Sequence, residues 1–72
     1  MSTNITAHMP GTIAEILVNV GDQVQADDEL IILEAMKMEN PIIAPISGKV
    51  VELGVAVNAM VTTGQVLAVI ES

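Results

Sequence analysis

Short runs rich in Ile, Val and Leu recur along the 72-residue chain, separated by clusters of Gly, Asn and Asp. This is a pattern of strands and turns. Branched side chains suit a pleated, half-buried surface, and Gly, Asn and Asp accept the backbone of tight turns. No segment holds helical periodicity over the roughly 11–18 residues that an amphipathic helix requires. The first half predicts a long strand over Thr12 to Val18, a turn at Gly21-Asp22, a brief extended stretch at Val24, a turn at Ala26-Asp27-Asp28 and a strand over Glu29 to Glu34. The second half predicts Lys49 to Val55, Asn58-Ala59, Val61, Thr63-Gly64 and Val66 to Glu71 in the same order. Asn4 to Ala7 and Met38 to Ala44 supply one further strand each, and Pro10 and Pro45 precede the long strands, where a missing N–H is tolerated. Leu30 to Leu33 is apolar at every position, which predicts burial on both faces or a place near a sheet crossing.

The order repeats because the sequence does. When the chain is slid along itself by 37 positions, Gly11 meets Gly48, Glu15 meets Glu52, Val18 meets Val55, Val24 meets Val61, Leu30 meets Leu67 and Glu34 meets Glu71. Gly21 meets Asn58 and Asp27 meets Gly64. These residue types best accept a left-handed backbone, so the same turn is expected twice. One domain over residues 1–72, with an internal repeat of 11–35 on 48–72, follows. Neither half buries its apolar face alone. Together they predict an all-β fold: a flattened β-barrel or sandwich of two four-stranded antiparallel sheets with pseudo-twofold symmetry.

Composition narrows the function. There is no Phe, Tyr or Trp, so aliphatic residues and Met fill the core, and there is no Cys to form a disulfide, a thiolate metal site or a nucleophile. The formal charge of −7 offers no basic patch for nucleic acid or anionic lipid. No apolar stretch approaches the ~18 residues of a membrane helix, and the N-terminus carries no secretory pattern. A soluble cytoplasmic domain that binds no nucleic acid and inserts in no membrane is expected.

Lys37 is one of two lysines, and it stands between Met36 and Met38, with Glu34 and Glu39 beyond. Glu, Ala, Met and Lys also permit a short helix here, which Pro41 would end. The alternative is a tight hairpin joining Glu29–Ala35 to Met38–Ala44 with Met36-Lys37 at its tip, despite the absence of the usual Asn-Gly. Such misfits are expected at functional sites. A lysine at a projecting tip has no catalytic partner, but it is well placed to be modified by another enzyme. Methionines are adaptable contacts for a surface that several partners grip.

The stretch Glu34 to Asn40, EAMKMEN, resembles the biotin attachment motif of biotin carboxyl carrier domains. MPGTI, VGDQV, LIILEAMKMENPIIAP, SGKV and GQVLAVIE look like further landmarks of biotinyl domains, so the resemblance runs from Met9 to Glu71. It implies the biotinyl/lipoyl-carrier fold, with biotin joined to Lys37 as an amide by a biotin–protein ligase. Ala35, Met36 and Met38 complete the recognition motif, and Glu34 and Glu39 contribute to the ligase's recognition surface or keep the tip soluble. The carrier is then non-catalytic. It moves a carboxyl group between the biotin carboxylase and carboxyltransferase sites of a biotin-dependent carboxylase, such as an acyl-CoA or acetyl-CoA carboxylase, or of a decarboxylase. Asn58-Ala59 and Asp27 depart from the Gly-Asp and Gly common at these places, compatibly with the turns. The Met-Ser-Thr start and the ending soon after Glu71 favour a complete small protein over an excised domain.

Two other functions compete. Lipoyl carriers share the fold but typically place Asp before the lysine and Ala after it, where this chain has Met36 and Met38. An unmodified acidic binding module would leave Lys37 incidental. Lys49 reads as a solvated strand residue and His8 as a lone histidine without clustered ligands. Asp27-Asp28-Glu29 lacks the spaced oxygens and glycine of a calcium loop.

Overall fold

The computed structural model describes residues 1–72 as eight strands and no helix. They are β1 (Ser2–Thr6), β2 (Gly11–Ile16), β3 (Gln23–Val24), β4 (Glu29–Ala35), β5 (Met38–Ile43), β6 (Gly48–Leu53), β7 (Met60–Val61) and β8 (Val66–Glu71). Two antiparallel four-stranded sheets have the orders β1-β8-β6-β3 and β5-β4-β2-β7. Each sheet combines strands from both halves of the chain, so neither half is a separable layer.

The 37-residue shift extends to the hydrogen bonds. Gly21 N–H donates to the Val50 carbonyl at 2.7 Å, and Asn58 N–H donates to the Ile13 carbonyl at 2.8 Å. Asp27 N–H donates to Ala44 and Gly64 N–H to Ala7, both at 2.8 Å. All four donors are left-handed, with φ of 100° at Gly21, 75° at Asn58, 75° at Asp27 and 87° at Gly64. The expectation of one turn made twice is met at both places. The first turn of each half falls one residue earlier than expected, at Val20-Gly21 and Val57-Asn58, because the left-handed residue takes its second position. Asp22 and Asp28 act within their turns. Their Oδ2 atoms accept from the N–H groups of Asn19 at 2.8 Å and Gln25 at 2.9 Å.

The long strands end at Ile16 and Leu53, not at Val18 and Val55. The register of β2 shifts between Ile13 and Glu15, and that of β6 between Val50 and Glu52. These matched bulges interrupt the ladders locally and increase the twist. The bonds from Leu17 N–H to the Leu30 carbonyl and from Gly54 N–H to the Leu67 carbonyl, both at 2.9 Å, keep each pair together just past the strand ends. A further shift between Glu29 and Ile31 lets the consecutive Leu30 and Ile31 both face inward with Leu33, while Ile32 between them and Leu33 is half-buried. The core is one cluster in which all members but Val18 pair across the 37-residue shift, among them Ile13 with Val50, Leu33 with Ile70 and Leu30 with Leu67. No polar side chain is buried.

Candidate functional site

The four residues Ala35 to Met38 close the β4–β5 hairpin: Ala35 pairs with Met38 and only Met36 and Lys37 lie between. Both tip residues are left-handed, with φ of 54° and 63°. A two-residue turn with positive φ at both positions is the type I′ turn, whose twist matches that of the strands it joins. Met and Lys adopt this backbone only at a cost of about 1 kcal/mol or more each. The short-helix alternative is therefore excluded, and the misfit is a real local strain held by the β4–β5 ladder behind it.

That ladder fixes what the tip presents. Met36 is 90% exposed and Met38 65%, and Lys37 is exposed between them. Their apolar surface is offered to solvent next to the amine. No side-chain hydrogen bond ties down the Lys37 ammonium. Glu34 and Glu39 face each other directly across the two strands, both exposed. Like charges so placed weaken a hairpin, so this pair is no aid to folding. Asn40 Nδ2–H donates to the Met38 carbonyl at 3.3 Å on the outgoing strand.

Ala35 differs from the rest of the motif, being only 7% exposed. It lies over Gly11 of β2. A Cβ placed on Gly11 would stand 3.2 Å from the Ala35 Cβ and 2.5 Å from the Glu34 carbonyl oxygen. The backbones of β2 and β4 approach closely here, and a larger residue at either position would force them apart. Ala35 therefore seats the tip on the body.

From Gly11, beside the base of the tip, the chain runs on along β2 to Gly21, which is bonded to Val50 of the other sheet beside Ile70, so the tip stands at one end of a molecule measuring 32 × 17 × 17 Å. At the other extreme the chain ends meet: Ser72 N–H donates to the Met1 carbonyl at 2.9 Å, beside the Ser2–Glu71 pair. A groove of about 310 Å³ between β1 and β5, lined by Asn4, His8, Pro41 and Pro45 among others, includes neither Lys37 nor its methionines. Lys49 is exposed on β6, and no cluster of His, Cys, Asp or Glu suits a metal ion. What the geometry offers chemically is one unencumbered primary amine on a short, ordered arm. That fits a cofactor held by a covalent bond, which needs access to the amine and no enclosing pocket.

One residue near the tip escaped the sequence reading. Met60 of β7 is 83% exposed and lies on the same sheet as the hairpin, two strands from β4. The signal was present in the repeat, since Met60 falls on the polar Gln23.

Residues 3–70 match the profile of the biotin–lipoyl family, described as "Biotin-requiring enzyme". The chain is 46% identical over 69 residues to the biotin carboxyl carrier protein of Streptococcus mutans, an alignment covering 96% of this chain and 53% of that one. It is 36% identical over 70 residues to the biotinylated protein TB7.3 homolog of Mycobacterium leprae, covering 97% of this chain and 99% of that one. Among solved structures, urea carboxylase of Kluyveromyces lactis superposes with a TM-score of 0.93 at 35% identity, over 99% of this chain and 6% of that one. The chain thus spans about half the length of one curated relative and nearly all of another. With the profile covering nearly all of it and these likenesses beside the hairpin geometry, the chain belongs to the biotin–lipoyl family of biotin-requiring enzymes.

Proposed function

We propose that the chain is a biotin carboxyl carrier whose Lys37 Nζ is joined to biotin as an amide by a biotin–protein ligase. The observation that carries this reading is the exposed lysine at the strained tip of an otherwise regular hairpin, flanked by two exposed methionines at the far end of the molecule. Met36 and Met38 give an approaching protein apolar surface on both sides of the amine. Glu34 and Glu39 attract basic groups to the strands just behind it. Ala35 and Gly11 keep the tip's base rigid.

When attached, biotin supplies the ureido ring that takes up and gives back a carboxyl group. The chain's own residues do no bond-making. Lys37 and the two-residue turn hold the group at a fixed distance from the body, so that it stays at high local concentration for both partner sites. The partners in this reading are the biotin carboxylase and carboxyltransferase of a biotin-dependent carboxylase. Relatives bearing names of pyruvate, acyl-CoA and methylcrotonoyl-CoA carboxylases support that class.

The test runs two modifications side by side, biotin with biotin–protein ligase and ATP, and lipoate with lipoate–protein ligase and ATP. Uptake of biotin alone, lost in Lys37→Arg, is expected. Uptake of lipoate alone would replace the biotin reading with a lipoyl carrier. Uptake of neither by the folded protein would leave a binding module.

A further inference from the structure

The hairpin is not the whole of the surface at its end of the molecule. Glu39 pairs with Glu34, Glu34 with Thr12, and Thr12 with Met60. These four side chains form one row across four strands, on the face opposite to the buried Ala35 and Val61. Strands are spaced ~4.8 Å apart, so the row is roughly 14 Å long.

The repeat supplies a matched comparison within the same molecule. Shifting each position by 37 gives Ser2, Glu71, Lys49 and Gln23, and these also form one row: Ser2 with Glu71, Glu71 with Lys49, Lys49 with Gln23. The two rows occupy equivalent backbone at opposite ends of the molecule, so the fold asks the same of both. Their chemistry differs. At the chain ends the row is polar and its one carboxylate is balanced by Lys49. At the Lys37 end it carries two carboxylates, no cation and a methionine that is 83% exposed. Since Gln23 serves the fold equally well in the matched place, folding does not call for an apolar side chain at position 60.

We propose that the biotin–protein ligase reads this row from Glu39 to Met60, seating Met60 in an apolar pocket and setting basic side chains against Glu34 and Glu39. The occupant is argued from charge and continuity. The two carboxylates call for a cationic surface, and the row begins at the strand pair that carries the lysine to be modified. Met60 thereby lets the ligase grip both halves of the chain and tells the Lys37 end from its pseudo-symmetric twin. The inference rests on Lys37 being the attachment residue.

The experiment measures initial rates of biotinylation by biotin–protein ligase over a range of carrier concentrations, at low and high salt. Met60→Gln copies the residue already tolerated in the matched position, so the variant keeps its fold. Its KM is expected to rise about fivefold to tenfold with kcat unchanged, the scale of losing one well-seated contact. Met60→Leu restores the KM, and Gln23→Met at the other end leaves it as in the wild type. Added salt raises the wild-type KM by screening Glu34 and Glu39. A KM for Met60→Gln within about twofold of wild type would overturn the proposal while leaving Lys37 as the attachment residue. An equal effect of Met60→Gln and Gln23→Met would also overturn it. No biotin uptake by the wild-type protein would instead remove the attachment reading on which the proposal rests.

Discussion

Met36 and Lys37 are a poor choice for the turn they make. Both are left-handed, with φ of 54° and 63°, where Asn-Gly would adopt the same backbone without penalty. The strain is local and its removal should be measurable. The double variant Met36→Asn, Lys37→Gly is expected to be more stable than the wild type by about 1–2 kcal/mol, and unable to take up biotin. Urea unfolding followed by far-ultraviolet circular dichroism would measure this, since the chain has no aromatic residue to report by fluorescence. An unchanged midpoint would mean that the tip is not strained. The place of Lys37 at an exposed hairpin tip was legible in the sequence, because Pro41 and the flanking apolar runs favoured two strands joined by a turn at Met36-Lys37. That Ala35 is a packing residue was not legible, because its partner Gly11 is distant in the chain and meets it only across the β2–β4 ladder.

At the scale of elements, the strands were legible from apolar runs and the turns from Gly, Asn and Asp. The shift of 37 residues indicated which turns were equivalent, and the left-handed residues Gly21, Asp27, Asn58 and Gly64 follow it, while Met36 and Lys37 have no counterpart. Strand pairing was less accessible. Periodicity says which face of a strand is buried and nothing about its neighbour, so the mixing of both halves in each sheet had no signal in the sequence. The strand ends were missed by two residues, and the bulges in β2 and β6 were not legible because register is a pairwise property. The close approach of β2 and β4 at Gly11 gives a sharp prediction. Gly11→Ala would put a Cβ 2.5 Å from the Glu34 carbonyl oxygen, a contact with backbone that no rotamer relieves. A loss of about 3 kcal/mol is expected in urea unfolding. A loss below about 1 kcal/mol would show that the two strands can part.

As a whole the molecule is a symmetric body with asymmetric ends. Seven symmetry-related pairs fill the core, so both sheets depend on the same side chains. At about 0.05–0.15 kcal/mol per residue, a chain of this size has little stability to spare. Leu33→Ala, at a fully buried position, is expected to cost about 3 kcal/mol. Hydrogen exchange should then speed up at the amides of Val50 and Ile70 on the other sheet as much as around residue 33. Faster exchange confined to one sheet would contradict a shared core. The two ends have diverged: one carries the chain termini and a balanced polar row, the other carries Lys37, three exposed methionines and an unbalanced pair of carboxylates. The body provides a rigid mount, and the function we assign lies in what distinguishes the two ends. The most direct test of that account is the intact mass of the protein after incubation with biotin, ATP and biotin–protein ligase, beside Lys37→Arg treated in the same way. The account predicts a gain of one biotin less one water in the wild type and none in the variant. An unchanged mass for the folded wild-type protein, or an equal gain in Lys37→Arg, would contradict it.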